Sequence, residues 1–215
     1  MYTKQRGPID LKVNNTYHLE KSNLISRYPV NIDLHPGVIF PQVPFGLPTR
    51  FPTMADKLRN AGYATHAVGK WHIGFCNKKY LPTSRGFDHH YGFWLGAQGY
   101  YSHIRDHGYD LRSDCNIVDA DNKTYSTDLF GYQAANIISG HRKSKKPLFL
   151  YFAFQSVHTP LQVPSHYQKM YSNVKSIKRR KFLGMVTAMD EAVGDVVKAL
   201  KESGMYREHC YNIHV

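Results

Sequence analysis

Apolar residues recur along this chain with more than one period, and the clearest rhythm lies toward its C-terminal end. Between Arg179 and Ser203, the residues Phe182, Met185, Val186, Met189, Val193, Val196, Val197 and Leu200 return at steps of three and four. That spacing places them on one face of a long helix. Gly204 is suited to close it, and Lys198 and Lys201 suit the negative end of its dipole. Pro147 to Phe154 is instead almost wholly apolar, the pattern of a buried strand. Upstream, Thr53 can cap a helix with Asp56 in its first turn, Met54, Leu58 and Ala61 forming its stripe and Gly62 its end. Tyr63 to Val68 follows as a short strand. Ser126 to Arg142 predicts a further helix, capped by Ser126 or Thr127, with Leu129, Ala134, Ile137 and Ile138 inward and Gly131 as its weak point. The order helix, strand, loop, helix, strand, loop, helix predicts an α/β fold, a mostly parallel sheet with flanking helices.

The stretches between these elements carry other signals. Residues 1–25 are polar and aperiodic and are expected to be irregular. Residues 26–52 hold Pro29, Pro36, Pro41, Pro44, Pro48 and Pro52, six prolines in 27 residues. That density forbids a continuous helix or a central strand and predicts an extended surface segment, or a loop over an active-site rim. Residues 73–110 are rich in Gly and Tyr and are expected to form a long ordered loop with short elements, the kind of segment that usually has a functional role. Residues 161–180 are polar and predict irregular structure.

A chain of 215 residues is one ordinary domain or a large piece of a bigger one. Its 42% hydrophobic content can supply a core, and no apolar run reaches the roughly 18 residues of a membrane span. Residues Met1 to Arg6 lack the apolar stretch of a secretory signal. The formal charge of +12 attracts polyanions: nucleic acid, sulfated glycans or acidic lipid surfaces. No nucleic-acid recognition motif accompanies that charge, which ranks nucleic acid last. Cys76, Cys115 and Cys210 form no Cys-x-x-Cys pair, so a zinc ribbon or redox motif is not indicated. Asn14 and Asn122 each begin a glycosylation sequon, relevant if the chain is secreted.

Candidate chemistry gathers at two strand ends. Gly69-Lys70-Trp71-His72 follows the first strand, and Gln155-Ser156-Val157-His158-Thr159-Pro160 follows the second. In an extended segment Lys70 and His72 would face the same way. The ends of parallel strands share one edge, where ligands usually bind. A lysine and two histidines there make a set that holds an anion and moves a proton. The blander alternative is a surface lysine beside a structural histidine. Carboxylates are missing from both strand ends, so no metal cage is visible, and two histidines do not by themselves specify zinc.

Longer runs carry a resemblance. Gly62 to Gly74, reading Gly-Tyr-Ala-Thr-His-Ala-Val-Gly-Lys-Trp-His-Ile-Gly, resembles the second signature of the sulfatases. Leu81-Pro82-Thr83-Ser84-Arg85-Gly86-Phe87-Asp88, Tyr91-Gly92-Phe93 and Tyr100-Tyr101-Ser102-His103 are similar to the arylsulfatase B subgroup. So are Pro147 to Tyr151, Gln155 to Pro164, and the segment from Gly184 to Gly194. The resemblance runs from about Ser26 to about Tyr206. It implies an alkaline-phosphatase-like fold and hydrolysis of sulfate esters by a formylglycine nucleophile, with a calcium ion polarising the sulfate. By that resemblance Lys70 holds a sulfate oxygen. His72 contacts the nucleophile's hydroxyl, and His158 binds sulfate and protonates the leaving alcohol. Sulfated small molecules or glycosaminoglycans are the implied partners, and a lysosomal or secreted location the implied setting.

The chain also departs from the family pattern. The family's Cys-x-Pro-x-Arg motif precedes an Arg-Tyr pair that Arg27-Tyr28 resembles, yet Tyr17 to Ile25 contains no cysteine. Pro82-Thr83-Ser84-Arg85 is a near miss without the cysteine. The paired aspartates and the later Asp-Asn pair that bind calcium in the family have no counterpart in this sequence. The expectation is a partial sulfatase fold, incomplete at both ends: a divergent segment 1–25, part of the catalytic domain at 26–206, and a divergent tail at 207–215. Such a chain is expected to be inactive alone. The alternatives are a non-catalytic binder of sulfated glycans and a truncated product without independent function.

Overall fold

Thr53 opens the first helix as its side chain predicts. In the computed structural model, which describes residues 39–118 and 123–206, helix α1 spans Met54–Asn60. The Thr53 hydroxyl accepts from Asp56 N at 3.0 Å, and Thr53 N donates to Asp56 Oδ2 at 2.8 Å, a complete capping box. Strand β1 spans Ala64–Lys70, two residues past the expected end. Its last turn of sequence is possible because Gly69 takes φ +98°, a conformation that favours glycine.

Residues 73–110 are less loop-like than expected. They contain 3₁₀ turns at Lys78–Tyr80 and Pro82–Ser84, then strand β2 at His89–Phe93 and the short hairpin β3 (Ile104–Arg105) and β4 (Gly108–Tyr109). A second hairpin, β5 (Arg112–Ser113) and β6 (Asn116–Ile117), follows. Helix α2 spans Ser126–His141 and strand β7 spans Leu148–Ala153. Residues 161–180, expected to be irregular, contain helix α3 at Ser165–Lys169, and helix α4 runs Ile177–Glu202. The main sheet has the order β6-β5-β2-β1-β7, with β1 parallel to both β2 and β7 and with β5 antiparallel to β2. The fold is thus α/β with a mostly parallel centre. Among the described residues no helix is long and apolar enough to cross a membrane.

Two aromatic layers sandwich β1. On one face Ala67 and Trp71 pack with Ala55 and Phe87, backed by Phe149 and Tyr151. On the other, Val68 packs with Phe93, Leu111 and Phe130. Strand β7 is half-buried at all six positions rather than fully buried, because among the described residues it pairs with β1 alone. Helices α2 and α4 cover the Phe130 side. Gly131, the weak point of α2 by propensity, lets α4 approach: a Cβ there would stand 3.0 Å from Ala192 Cβ. The expected cap of α2 is absent. Ser126 Oγ instead donates to Tyr100 O at 2.9 Å, and Thr127 Oγ1 pairs with Ser156 Oγ at 2.8 Å, so both hydroxyls tie the helix start to the loops beside it.

Helix α4 begins two residues before its expected start because Ser176 caps it, accepting from Arg179 N. Val186, expected inward, is 37% exposed, while Ala188 and Ala192 take inward positions. Gly204 closes the helix at φ +77°, with Met205 N donating to Leu200 O at 3.0 Å. The first turn holds Lys178, Arg179 and Arg180 and no acidic residue, against the helix dipole, a cost of about 0.3–1 kcal/mol for each exposed cation.

Arg85 is a structural clamp. It is 3% exposed, and its guanidinium donates to Leu47 O at 2.6 Å and Phe51 O at 2.7 Å, pinning the proline-rich segment. Thr53 Oγ1 donates to its carbonyl at 2.7 Å. Arg85→Ala is expected to cost about 2 kcal/mol, since charged hydrogen bonds are among the stronger ones. A urea midpoint unchanged by the substitution would contradict that role.

Candidate active site

The site is built where β1 and β7 end side by side, with Gly69 opposite Ala153 in register. A Cβ on Gly69 would collide with the Ala153 carbonyl, and one on Gly92 would collide with the Gly69 carbonyl, so three strands meet closely there. Lys70 is the last residue of β1 and is half-buried. Burial lowers the pKa of its ammonium from the ordinary value. Beyond it, Trp71 is buried and its Nε1 donates to Gly74 O at 3.1 Å and Tyr80 O at 2.9 Å. Trp71 N and His72 N donate to Phe93 O and Trp94 O, at 3.0 and 3.1 Å. The segment after β1 therefore follows the segment after β2.

His72 does not continue the strand. It adopts φ +57°, the left-handed region that costs a non-glycine residue on the order of 1–2 kcal/mol. Lys70 and His72 come together by this turn and not by the strand alternation expected from sequence. The His72 ring sits 3.1 Å from Ile39 O through Nε2. A carbonyl can only accept, so Nε2 carries the proton and Nδ1 holds the lone pair. The other face of the ring lies on Gly96, where a Cβ would stand 2.7 Å from Cε1. Burial lowers the His72 pKa first, and Lys70 lowers it next. The Ile39 carbonyl opposes them, and His158 and Arg105 add further lowering. His72 is accordingly neutral at neutral pH, within the electrostatic reach of three other basic groups.

His158 lies on the turn after β7 and is exposed. Its backbone is fixed twice: its N–H donates to Gln155 O at 2.9 Å, and Tyr100 Oη donates to its carbonyl at 2.9 Å. Nδ1 lies 2.7 Å from Thr159 O, so Nδ1 donates and Nε2 is left to accept a proton or contact a ligand. Gln155 Nε2 donates to Gln98 O at 2.5 Å, joining the two loops that flank the site.

Sequence reasoning named Lys70, His72 and His158 and missed their supports. Arg105 stands in β3 and bears electrostatically on His72. Asp110 is buried and accepts from Trp94 N at 3.2 Å and Leu95 N at 2.9 Å, anchoring the loop that carries Gly96. Burial raises its pKa, and those two backbone donors act against the rise. An isolated aspartate in a loop of glycines and tyrosines gave no signal of that role. Asn14, Asn122, Arg27, Tyr28 and Cys210, and the segments 1–25 and 207–215, lie outside the described residues.

A calcium ion needs several oxygen ligands. Lys70, His72 and His158 offer nitrogen and positive charge instead. Among the described residues no group of three or more His, Cys, Asp or Glu could hold a metal ion. The described residues therefore do not fit the metal cofactor that the fold family implies.

The fold is a parallel-centred α/β sheet with a lysine and two histidines at its C-terminal edge, a set whose charge suits an anion. The sulfatase family model matches residues 12–209, and the chain belongs to the sulfatase family. It is 40% identical to mouse arylsulfatase J over 189 residues, covering 85% of this chain and 31% of that protein. With the arylsulfatase of Klebsiella aerogenes it shares 32% identity over 160 residues, covering 65% of this chain and 33% of that one. The chain thus spans about a third of the length of these relatives. The structure of Ps i-CgsB, solved also in complex with k-i-k-neocarrahexaose, superposes with a TM-score of 0.77 at 31% identity. That match covers 84% of this chain and 43% of the other.

Proposed function

We propose that this chain supplies the sulfate-holding and proton-transferring part of a sulfate-ester hydrolase pocket. The observation that supports it is the convergence of Lys70, His72 and His158 on one sheet edge in a member of the sulfatase family. Lys70 places a fixed charge beside a sulfate oxygen. His158, its Nδ1–H held by Thr159, turns Nε2 to the ester oxygen, and the ring protonated on both nitrogens gives its Nε2 proton to a departing alcohol. His72, kept neutral with its proton on Nε2, has the Nδ1 lone pair to accept a proton from the hydroxyl of a nucleophile, were one supplied to the pocket.

Hydrolysis by the family route also needs a nucleophile, and none of Cys76, Cys115 and Cys210 begins a Cys-x-Pro-x-Arg motif. The calcium ion implied by the family belongs to the same route. On its own the chain is proposed to bind sulfate esters without turning them over. The setting proposed from the family is lysosomal or secreted.

Binding of 4-nitrophenyl sulfate to the purified chain, followed by calorimetry, tests this directly. Lys70→Ala is expected to weaken it about tenfold or more, the scale of one charge-assisted contact. Binding that ignored both Lys70→Ala and His158→Ala would remove the site from these residues. Turnover surviving both substitutions would place catalysis elsewhere. The net charge of +12 favours a second reading, a non-catalytic binder of sulfated glycans, which salt-dependent retention on heparin, reduced by Lys70→Ala, would support.

A further inference from the structure

We propose that the cations at the start of α4, centred on Lys178, Arg179 and Lys181, form a docking surface for a sulfated glycan chain lying beyond the candidate site. The choice of occupant rests on the sulfate-ester reading above. The surface itself is defined by charge distribution and by helix geometry.

The charge is strongly uneven along the chain. Residues 129–189 contain ten Lys+Arg and no Asp or Glu. These cations concentrate in two places, Arg142 to Lys146 after α2 and Lys175 to Lys181 at the start of α4. Among the described residues no ion pair engages the second group. Lys178 and Arg179 are exposed, while Arg180 and Lys181 are half-buried, the Arg180 Nε enclosed without a hydrogen-bond partner. The Arg179 guanidinium lies 5.5 Å from the centre of the Phe182 ring, which steadies it. Lys178 and Lys181 are three positions apart and share one side of the helix.

Helix geometry puts this group at the site's end of the molecule. Helices α2 and α4 run parallel: Gly131 packs on Ala192, and Ile138 clusters with Ala199 and Leu200. The start of α2 is fixed at the C-terminal edge of the sheet, since Ser126 N donates to Tyr100 O and Thr127 bonds Ser156, just past the end of β7. By the same offset residue 187 of α4 lies level with Ser126. The ten residues before it project about 15 Å past that edge at 1.5 Å per residue. His158 and Lys70 stand at this edge. The Arg142 to Lys146 group lies at the opposite one, where His141 Nε2 donates to Lys146 O at 2.7 Å and the chain enters β7. A single small sulfate ester has no use for cations carried that far out. A polymer bearing repeated sulfates does, and a guanidinium matches the oxygens of a tetrahedral anion.

The test uses the full chain and a fluorescein-labelled heparin-derived decasaccharide, with anisotropy read at two salt concentrations. The triple variant Lys178→Ser, Arg179→Ser, Lys181→Ser is expected to weaken binding about tenfold or more and to flatten the salt dependence. The triple variant Lys143→Ser, Lys145→Ser, Lys146→Ser is expected to change it less than about threefold. Equal losses in the two variants would mean diffuse charge, and no loss in the first would mean the wrong surface; either overturns the proposal. Duplex DNA of equal charge that bound as tightly and fell equally in the first variant would also overturn it. If Lys70→Ala alone abolished decasaccharide binding, the docking surface would fail while the sulfate-ester reading stood. If the α4 variant lost the glycan and Lys70→Ala left 4-nitrophenyl sulfate binding intact, the reverse would hold.

Discussion

Gly69→Ala is expected to abolish folding of this chain, at a cost of more than about 4 kcal/mol. Two independent penalties meet at this residue. Its φ of +98° is one that an L side chain rarely adopts, worth about 1–2 kcal/mol. Its Cβ would also collide with the Ala153 carbonyl oxygen and stand 2.9 Å from the carbonyl carbon, and a backbone atom cannot swing aside as a side chain can. Gly69 is paired in register with Gly92 on one side and Ala153 on the other, so relieving the clash opens the ladder of the central strand on at least one side. Gly62→Ala is the control. Its φ is +91°, yet nothing lies within 4 Å of the position a Cβ would take, so only the conformational penalty of about 1 kcal/mol applies. Soluble yield and urea midpoints of the two variants decide the matter. A Gly69→Ala protein as stable as Gly62→Ala would show that the close approach of β1 and β7 is not required.

The same glycine shows where the sequence could be read and where it could not. The pattern at Tyr63–Val68 identified a strand and took Gly69 as its end, because a glycine before charged residues ordinarily marks a break. In the fold the glycine is what allows the strand to continue between two close neighbours. Strand β2 was hidden for a related reason: its buried residues are His90, Gly92 and Phe93, and two of the three carry no apolar signal. The apolar run of β7 was evident, but apolarity reports that both faces pack and is silent on how many strands flank it. Arg85 ends the near miss Pro82-Thr83-Ser84-Arg85, and in the fold it is a buried clamp on the proline-rich segment. The capping box at Thr53 and the inward positions Met185, Met189 and Leu200 of α4 follow local rules, and local rules located them.

The candidate residues could be placed on the fold for the same local reasons, and their arrangement could not. Lys70 and His158 could be placed at strand ends because both strands have recognisable boundaries. The left-handed turn at His72, the ring contact with Gly96 and the Ile39 carbonyl all depend on segments distant in sequence. The proton positions on both histidines are likewise set by carbonyls that only the fold brings near. The carbonyl partners decide which ring nitrogen of each histidine carries a proton and which keeps its lone pair.

Acid is expected to destabilise the chain between about pH 6.5 and pH 4, and most of that loss should trace to His90. The residue is 3% exposed, on β2 beside the end of β1, and burial pushes its pKa down to about 4. Its Nε2 faces the Gly69 carbonyl at 3.3 Å and its Nδ1 is enclosed without a partner, so the fold accommodates one proton on the ring and not a second. The Gly69 contact and Asp114 both favour protonation, but burial outweighs them. Above about pH 6.5 the ring is neutral in the folded and unfolded chains, and no stability depends on it. Below that, the unfolded chain takes up the proton first, so stability falls with pH, by about 2 kcal/mol at pH 5 and on the order of 3 kcal/mol at pH 4. His66 and His72, also lowered by burial, add to the slope in the same direction. Replacing His90 with Gln removes its share, so the variant's urea midpoint should fall less steeply from pH 7 to pH 4.5, whatever the substitution costs at neutral pH. Equal slopes in the two proteins would mean that the buried ring is protonated in the fold as readily as in the unfolded chain. A lysosomal setting would expose the protein to this loss, and a ligand bound at Lys70 and His158 would offset it by mass action.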